Sequence, residues 1–370
     1  MDKTVGILGG GQLGRMLTNA ANLLNVHVVT LESGVGAPAK QVNAHPNHVD
    51  GKFNDESAIR ELVSKVDVVT MEIEHVNTEA LESVANDSAK EEVFRRREQE
   101  GRAGRVSIQP GWQTVRTIQD KFLQKEALTS RGVKGAKAKD IKEGDSAAAV
   151  SSWVEQHLGG FPVMLKARKN AYDGRGNFVI RSTDEVEAGL KALGGRDLYL
   201  EQWQNFTMEL AVMVVKVAEE QSDDWETATL AFPVVETVHE DSICKLVYAP
   251  ARGVNEETKT RAAQMARKAV AGFEGKGVCG VEMFLLESGR LQVLCEIIDG
   301  EMANPAVGEL LVNEIAPRPH NSGLNPKTRL SQWLSVLIRC RSLYDRSLCS
   351  ISIRGASESY SGSSTNSRGC

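Results

Sequence analysis

Apolar residues fall along the first 85 positions in short runs separated by segments of helical periodicity. Thr4–Leu8 is an unbroken buried-strand run, residues 12–24 repeat apolar side chains at helical spacing, and 26–31 is a second strand. Residues 55–65 predict another helix and 66–70 a third strand, so this part alternates strand and helix as a doubly wound parallel sheet does. The regime changes at 90–105, where charge is dense and only two large apolar side chains occur. That segment reads as a solvated insertion or linker. A helical stretch follows at 112–130, then strands at 161–166, 178–181, 197–202, 208–217, 228–238 and 243–248. Helices are expected at 183–193 and 256–271, and one more strand at 280–286. Long neighbouring strands with few crossover helices predict mostly antiparallel sheets. From 324 to 370 the chain is serine-rich with few acidic residues, which predicts disorder apart from a short helix near 332–338.

Composition narrows the class. The 370 residues are 41% hydrophobic and 25% charged, ordinary globular usage with room for two or three domains. A net charge of -5 and 5% aromatic residues give neither a field nor stacking platforms for nucleic acid. No apolar run approaches the roughly 18 residues of a membrane span, and no signal peptide precedes the first strand, so a cytoplasmic protein is expected. Six scattered cysteines without C-x-x-C spacing fit reduced thiols.

Candidate chemistry lies at the strand ends. Gly9-Gly10-Gly11-Gln12-Leu13-Gly14 opens the first helix and matches G-x-G-x-x-G, with Glu32 ending the second strand. Such a turn offers bare N–H groups to NAD, to another anion, or to nothing but the turn itself. Met71-Glu72-Ile73-Glu74-His75 ends the third strand at the edge where open sheets bind ligands. Of its acids Glu74 is the better crevice candidate, a solvated strand end being the alternative. Lys166, closing a buried strand, suits phosphate oxygens, whereas Lys121 read alone is a surface lysine. The polar loop Tyr172-Asp173-Gly174-Arg175-Gly176 suits closure over phosphates or a plain hairpin. Glu201, Trp203 and Glu209 suit a purine edge and a ribose. Glu282 interrupts an apolar strand, and Asn313 to Gly323 packs Glu314, Arg318, His320 and Asn321 into a turn-forming run behind another. Two carboxylates from neighbouring strands call for a hard cation such as magnesium, which usually accompanies nucleotide phosphates; the alternative for Glu282 is a solvent-facing position.

Taken together, residues 6–16, 72–76, 117–121, 172–176 and 313–323, in this order, resemble the ATP-grasp superfamily and its purine-biosynthetic branch. The resemblance covers about residues 4–323. It implies an α/β and α+β chain: a pre-ATP-grasp domain over 1–105, an ATP-grasp domain over 106–323 with an insertion near 292–308, and an atypical tail over 324–370. It further implies an ATP- and bicarbonate-dependent ligase that carboxylates aminoimidazole ribonucleotide through carboxyphosphate. Lys121 and Lys166 would hold ATP phosphates, Glu201 and Trp203 flank adenine, and Glu209 take the ribose. Glu282 and Glu314 would bind Mg2+, and Gln12 and Glu74 would face the ribonucleotide. Tyr172, Asp173, Arg175, Arg318, His320 and Asn321 would surround bicarbonate and its phosphorylated form. A homodimer is also a family expectation.

The chain departs from the family at 90–105, at 292–308 and after Gly323, where a folded segment carrying basic residues for the substrate phosphate is replaced by the serine-rich tail. We expect the last two to reflect an unspliced intron or a shifted reading frame. Two other functions remain open on the residues alone: an ATP-grasp fold kept as a catalytically impaired binding module, and an NAD-dependent oxidoreductase using the first glycine motif.

Overall fold

The computed structural model describes residues 3–171, 176–240, 243–287 and 308–320, all within one compact unit, Met1–Ile338. The expectations for 292–307, for the 324–370 tail and for the helix near 332–338 lie outside the described residues.

The chain begins β1 (Thr4–Leu8), α1 (Gln12–Leu23), β2 (His27–Leu31), α2 (Pro38–Gln41), α3 (Glu56–Lys65), β3 (Val68–Met71), α4 (Thr78–Ser88), α5 (Glu91–Gln99) and β4 (Ser107–Ile108). The four strands form one parallel sheet in the order β2-β1-β3-β4, as the alternating pattern predicts. Side-chain caps fix the helix starts: the Asp55 carboxylate accepts from Ala58 N at 2.9 Å, and Asn77 Oδ1 accepts from Ala80 N at 2.9 Å.

The 90–105 segment corrects the linker reading. Its helix α5 is polar on most faces, yet Arg97 is only 4% exposed. The Arg97 guanidinium donates to Val63 O at 3.1 Å and Val66 O at 2.7 Å, capping the C-terminal carbonyls of α3, and to Ala103 O at 2.9 Å. A buried cation holds this helix in place of an apolar stripe.

Next come α6 (Trp112–Gln119), α7 (Lys121–Ser130), β5 (Ala138–Ile141), α8 (Ala147–Trp153), β6 (Val163–Ala167), β7 (Asn177–Ile180), α9 (Val186–Ala192) and β8 (Leu198–Gln202). The helix expected over 112–130 is two helices, because Asp120 adopts extended backbone and its carboxylate caps α7 by accepting from Phe122 N and Leu123 N, each at 3.1 Å. Strands β5-β8-β6-β7 form a four-stranded antiparallel sheet.

The last part comprises β9 (Phe206–Lys216), α10 (Trp225–Ala228), β10 (Thr229–Ala231), β11 (Val235–Glu240), β12 (Ile243–Tyr248), α11 (Glu256–Ala271), β13 (Gly277–Leu286) and β14 (Leu310–Ala316). These strands make a six-stranded antiparallel sheet, β12-β11-β9-β13-β14 with β10 beside β9. The single strand expected over 228–238 is broken between Ala231 and Val235, where Pro233 cannot donate to the ladder. One core joins Leu210, Val212, Val281 and Ile315 to Ala262, Ala266 and Val270 of α11. Another joins Met213, Val215 and Val278 to Val5, Leu17 and Ala20 of the parallel domain. The six-stranded sheet is therefore packed from both sides.

Candidate active site

Glu282 and Glu314 are direct cross-strand partners between β13 and β14. A register shift next to them leaves Asn313 as an extra residue in β14, so the turn-forming run seen in the sequence is strand as far as Ala316 and turns only at Pro317. On β9, Glu209 pairs with Phe284, two residues along from Glu282, which puts Glu209 on the same face by the two-residue repeat of a strand. His239 of β11 reaches that face, its Nδ1 against the Glu209 carboxylate. His320 follows the turn and lies 3.4 Å from Glu282 through Nδ1, packed over Gly280, where a Cβ would come within 2.5 Å of the His320 Cβ.

Lysines converge on these acids from two other elements. Lys121, the first residue of α7, places Nζ 3.0 Å from Glu314 Oε2. Lys166 of β6 and Lys125 of α7 hold the two oxygens of Glu201, at 2.8 and 2.7 Å, and Glu201 is 4% exposed. Gln124 fixes α7 to β14 by accepting from Ile315 N and donating to Ile315 O, both at 2.9 Å. Trp203 stands half-exposed just beyond β8, its Nε1 donating to Asn205.

The electrostatics mark the carboxylate pair as strained in isolation. Burial, then the Glu314 charge, push the Glu282 carboxyl up to about 7. Glu314 is also raised by burial, but the Lys121 charge and hydrogen bond outweigh this and bring it below the ordinary range. Burial lowers Lys121, and the carboxylates around it, Glu314 first, more than restore it. Two buried acids of like charge cost stability unless a cation joins them. No cluster of three metal-binding side chains exists among the described residues. Two carboxylates nonetheless fit magnesium, which takes one or two protein carboxylates plus phosphate oxygens and water. A cleft of about 810 Å³ lies elsewhere, beside Gln109, Trp112 and Glu274; here the lysines fold onto the acids.

On the parallel domain, carboxylates of the chain itself meet the glycine motif. The Glu72 carboxylate accepts from Gly11 N and Gly14 N, and Glu32 Oε2 accepts from Gly10 N at 3.0 Å. A Cβ at Gly9 would sit 2.5 Å from Glu72 Cγ. The glycines admit an internal carboxylate at the N-terminus of α1, the structural-turn alternative, and the Gly10, Gly11 and Gly14 N–H groups are engaged by Glu32 and Glu72. Glu74 faces the other way and pairs with Arg318, which donates through Nε. Burial raises the Glu74 carboxyl, but the Arg318 charge and hydrogen bond overcome this and hold it at about 2. His320 is lowered to about 4 by burial and then by Arg318, so its imidazole is neutral at pH 7. Gln12 is exposed on the first turn of α1. Tyr172, Asp173, Arg175 and Asn321 lie outside the described residues.

The structure thus gathers Lys121, Lys166, Glu201, Glu209, Glu282, Glu314, Arg318, His320 and Glu74 into one charged network. Lys125, Gln124 and His239 were not foreseen. Lys125 had a signal, since it lies four residues from Lys121 on the same helix face.

A parallel domain followed by two antiparallel sheets with facing lysines and carboxylates defines the class: the ATP-grasp domain model matches residues 126–332 and the ribonucleotide synthetase preATP-grasp domain model matches 1–96. A carboxyaminoimidazole ribonucleotide synthase from Aspergillus clavatus, complexed with ATP, is 43% identical with a TM-score of 0.74, over 92% of this chain and 78% of that one. The Aspergillus clavatus enzyme in complex with ADP and 5-aminoimidazole ribonucleotide is 42% identical with the same TM-score, over 92% of this chain and 77% of that one. This chain belongs to the carboxyaminoimidazole ribonucleotide synthase family of ATP-grasp proteins. A phosphoribosylaminoimidazole carboxylase from Ogataea methanolica is 45% identical over 321 residues, 87% of this chain but 50% of that protein. The chain therefore spans about half the length of that relative. Among the described residues no helix is long and apolar enough to cross a membrane.

Proposed function

We propose that the chain carboxylates 5-aminoimidazole ribonucleotide on its exocyclic amine, consuming ATP and bicarbonate. The observation that carries this reading is the direct pairing of Glu282 with Glu314, with Lys121 on Glu314 and Lys166 across on the smaller sheet. Lys121 and Lys166 leave their acids to take ATP phosphates, Glu201 and Trp203 border the adenine, and Glu209 takes the ribose. Magnesium bound by Glu282 and Glu314 would neutralise phosphate charge. A bicarbonate oxygen attacks the γ-phosphorus, ADP leaves, and the resulting carboxyphosphate yields carbon dioxide and phosphate. The amine then attacks the carbon dioxide. Phosphoryl transfer asks the protein mainly for positioning and charge. Tyr172, Asp173, Arg175, Arg318, His320 and Asn321 would surround the bicarbonate, and shielding carboxyphosphate from water requires a closed site. Gln12 and Glu74 face the ribonucleotide. Domain limits at about 105 and 323, a homodimer and a cytoplasmic location form part of the same reading.

The test is ADP release by the full chain. Release that requires both aminoimidazole ribonucleotide and bicarbonate supports the proposal. Nucleotide binding without turnover would reduce the chain to an impaired binding module.

A further inference from the structure

Lys166 and Lys121 sit on different elements, and neither lysine fixes the distance between them. Arg168, two residues after Lys166, and Asp120, the residue before Lys121, meet in a fork. Arg168 Nη2 donates to Asp120 Oδ2 at 2.7 Å and Nε to Oδ1 at 3.0 Å, while Nη1 donates to Asp140 Oδ1 at 2.8 Å. Asp120 is 3% exposed and caps α7, and Asp140 lies on β5 of the smaller sheet. The backbone repeats the link, with Lys121 N donating to Arg168 O and Arg168 N to Asp197 O, both at 2.8 Å. The Arg168 guanidinium also lies 5.3 Å over the Phe122 ring. At its other side α7 is tied to β14, the strand of Glu314, by Gln124. One guanidinium thus joins the smaller sheet to the helix that carries Lys121 and abuts the carboxylate strand.

We propose that Arg168 is a positioning residue that sets the spacing between Lys121 and Lys166, and so the phosphate cradle of the nucleotide site. Planar bidentate geometry is what a lysine at this position cannot supply, since an ammonium is a point charge. The inference rests on the phosphate roles proposed above for the two lysines.

The experiment measures ADP and aminoimidazole ribonucleotide binding by calorimetry for the full-length wild type, Arg168→Lys and Asp140→Asn, with magnesium present. Arg168→Lys should weaken ADP about tenfold or more and Asp140→Asn about threefold, because it removes the charge from one arm only. Both should keep ribonucleotide affinity within about twofold, since Gln12 and Glu74 lie on the parallel domain. ADP affinity unchanged in both variants, or a matching loss for both ligands, overturns the proposal. If Arg168→Lys fails to fold by circular dichroism, Asp140→Asn decides alone, and unchanged ADP affinity there overturns it. Wild type that binds no ADP removes the functional reading and this inference together, whereas wild-type binding with unaffected variants removes the role of Arg168 only.

Discussion

Replacing Arg318 by Met removes the partner of a carboxylate that the fold has committed to charge. Glu74 and Arg318 are 12% and 16% exposed in their side chains, and the Glu74 carboxyl is held at about 2 against an ordinary 4.5. At about 1.4 kcal/mol for each tenfold change in proton affinity, the folded state favours charged Glu74 by about 3 kcal/mol. The folded value lies below the unfolded one, so this stabilisation is complete above about pH 5 and is lost as pH falls toward 2. Arg318→Met should therefore destabilise the chain by about 3 kcal/mol at pH 7, within the range for breaking a buried pair. The difference should shrink to about half by pH 3, where the carboxyl of the unfolded chain is already protonated while the folded one is still charged. Urea denaturation of both proteins at pH 7, 5 and 3 reads this directly. A loss below about 1 kcal/mol at pH 7, or a gap that stays constant down to pH 3, would refute the assigned electrostatics.

Two further outcomes follow from named contacts. Lys166→Met should raise the dissociation constant for ATP well beyond any change for the ribonucleotide, and an equal loss for both speaks against a phosphate role. Arg97→Ala strips the donors from Val63 O, Val66 O and Ala103 O and should cost about 2 to 3 kcal/mol in denaturant unfolding. A cost under about 1 kcal/mol would mean that α5 is held by something else.

Much of the fold was legible where burial follows periodicity. The strand Thr4–Leu8 and the helix Glu256–Ala271 fall where their patterns place them, the latter with Asn255 accepting from Thr258 N at its start. The helix of 91–99 escaped because its anchor is Arg97, and a buried guanidinium leaves no apolar period. The strand Ala138–Ile141 escaped for a related reason, with only Ile141 fully buried. The break at Asp120 was legible as a cap followed by a fresh helix, but the two helices share one hydrophobic pattern. At the site, Glu282 announced itself as an acid in an apolar strand, whereas Glu314 was read in a turn-forming run and lies in strand Leu310–Ala316. Sequence favoured Glu74 over Glu72 as the crevice residue; Glu74 pairs with Arg318, and Glu72 has a use at Gly11 N and Gly14 N that spacing could not reveal. His239 and Arg168 were hidden because their partners, Glu209 for the one and Asp120 and Asp140 for the other, are 28 or more residues away.

The central claim is that Glu282 and Glu314 form a seat for the ion that arrives with the nucleotide, and ADP binding with and without magnesium tests it most directly. Magnesium should tighten ADP on the wild type, and Glu282→Gln and Glu314→Gln should each abolish the tightening while binding ribonucleotide normally. Magnesium-enhanced ADP binding that survives both substitutions would contradict it.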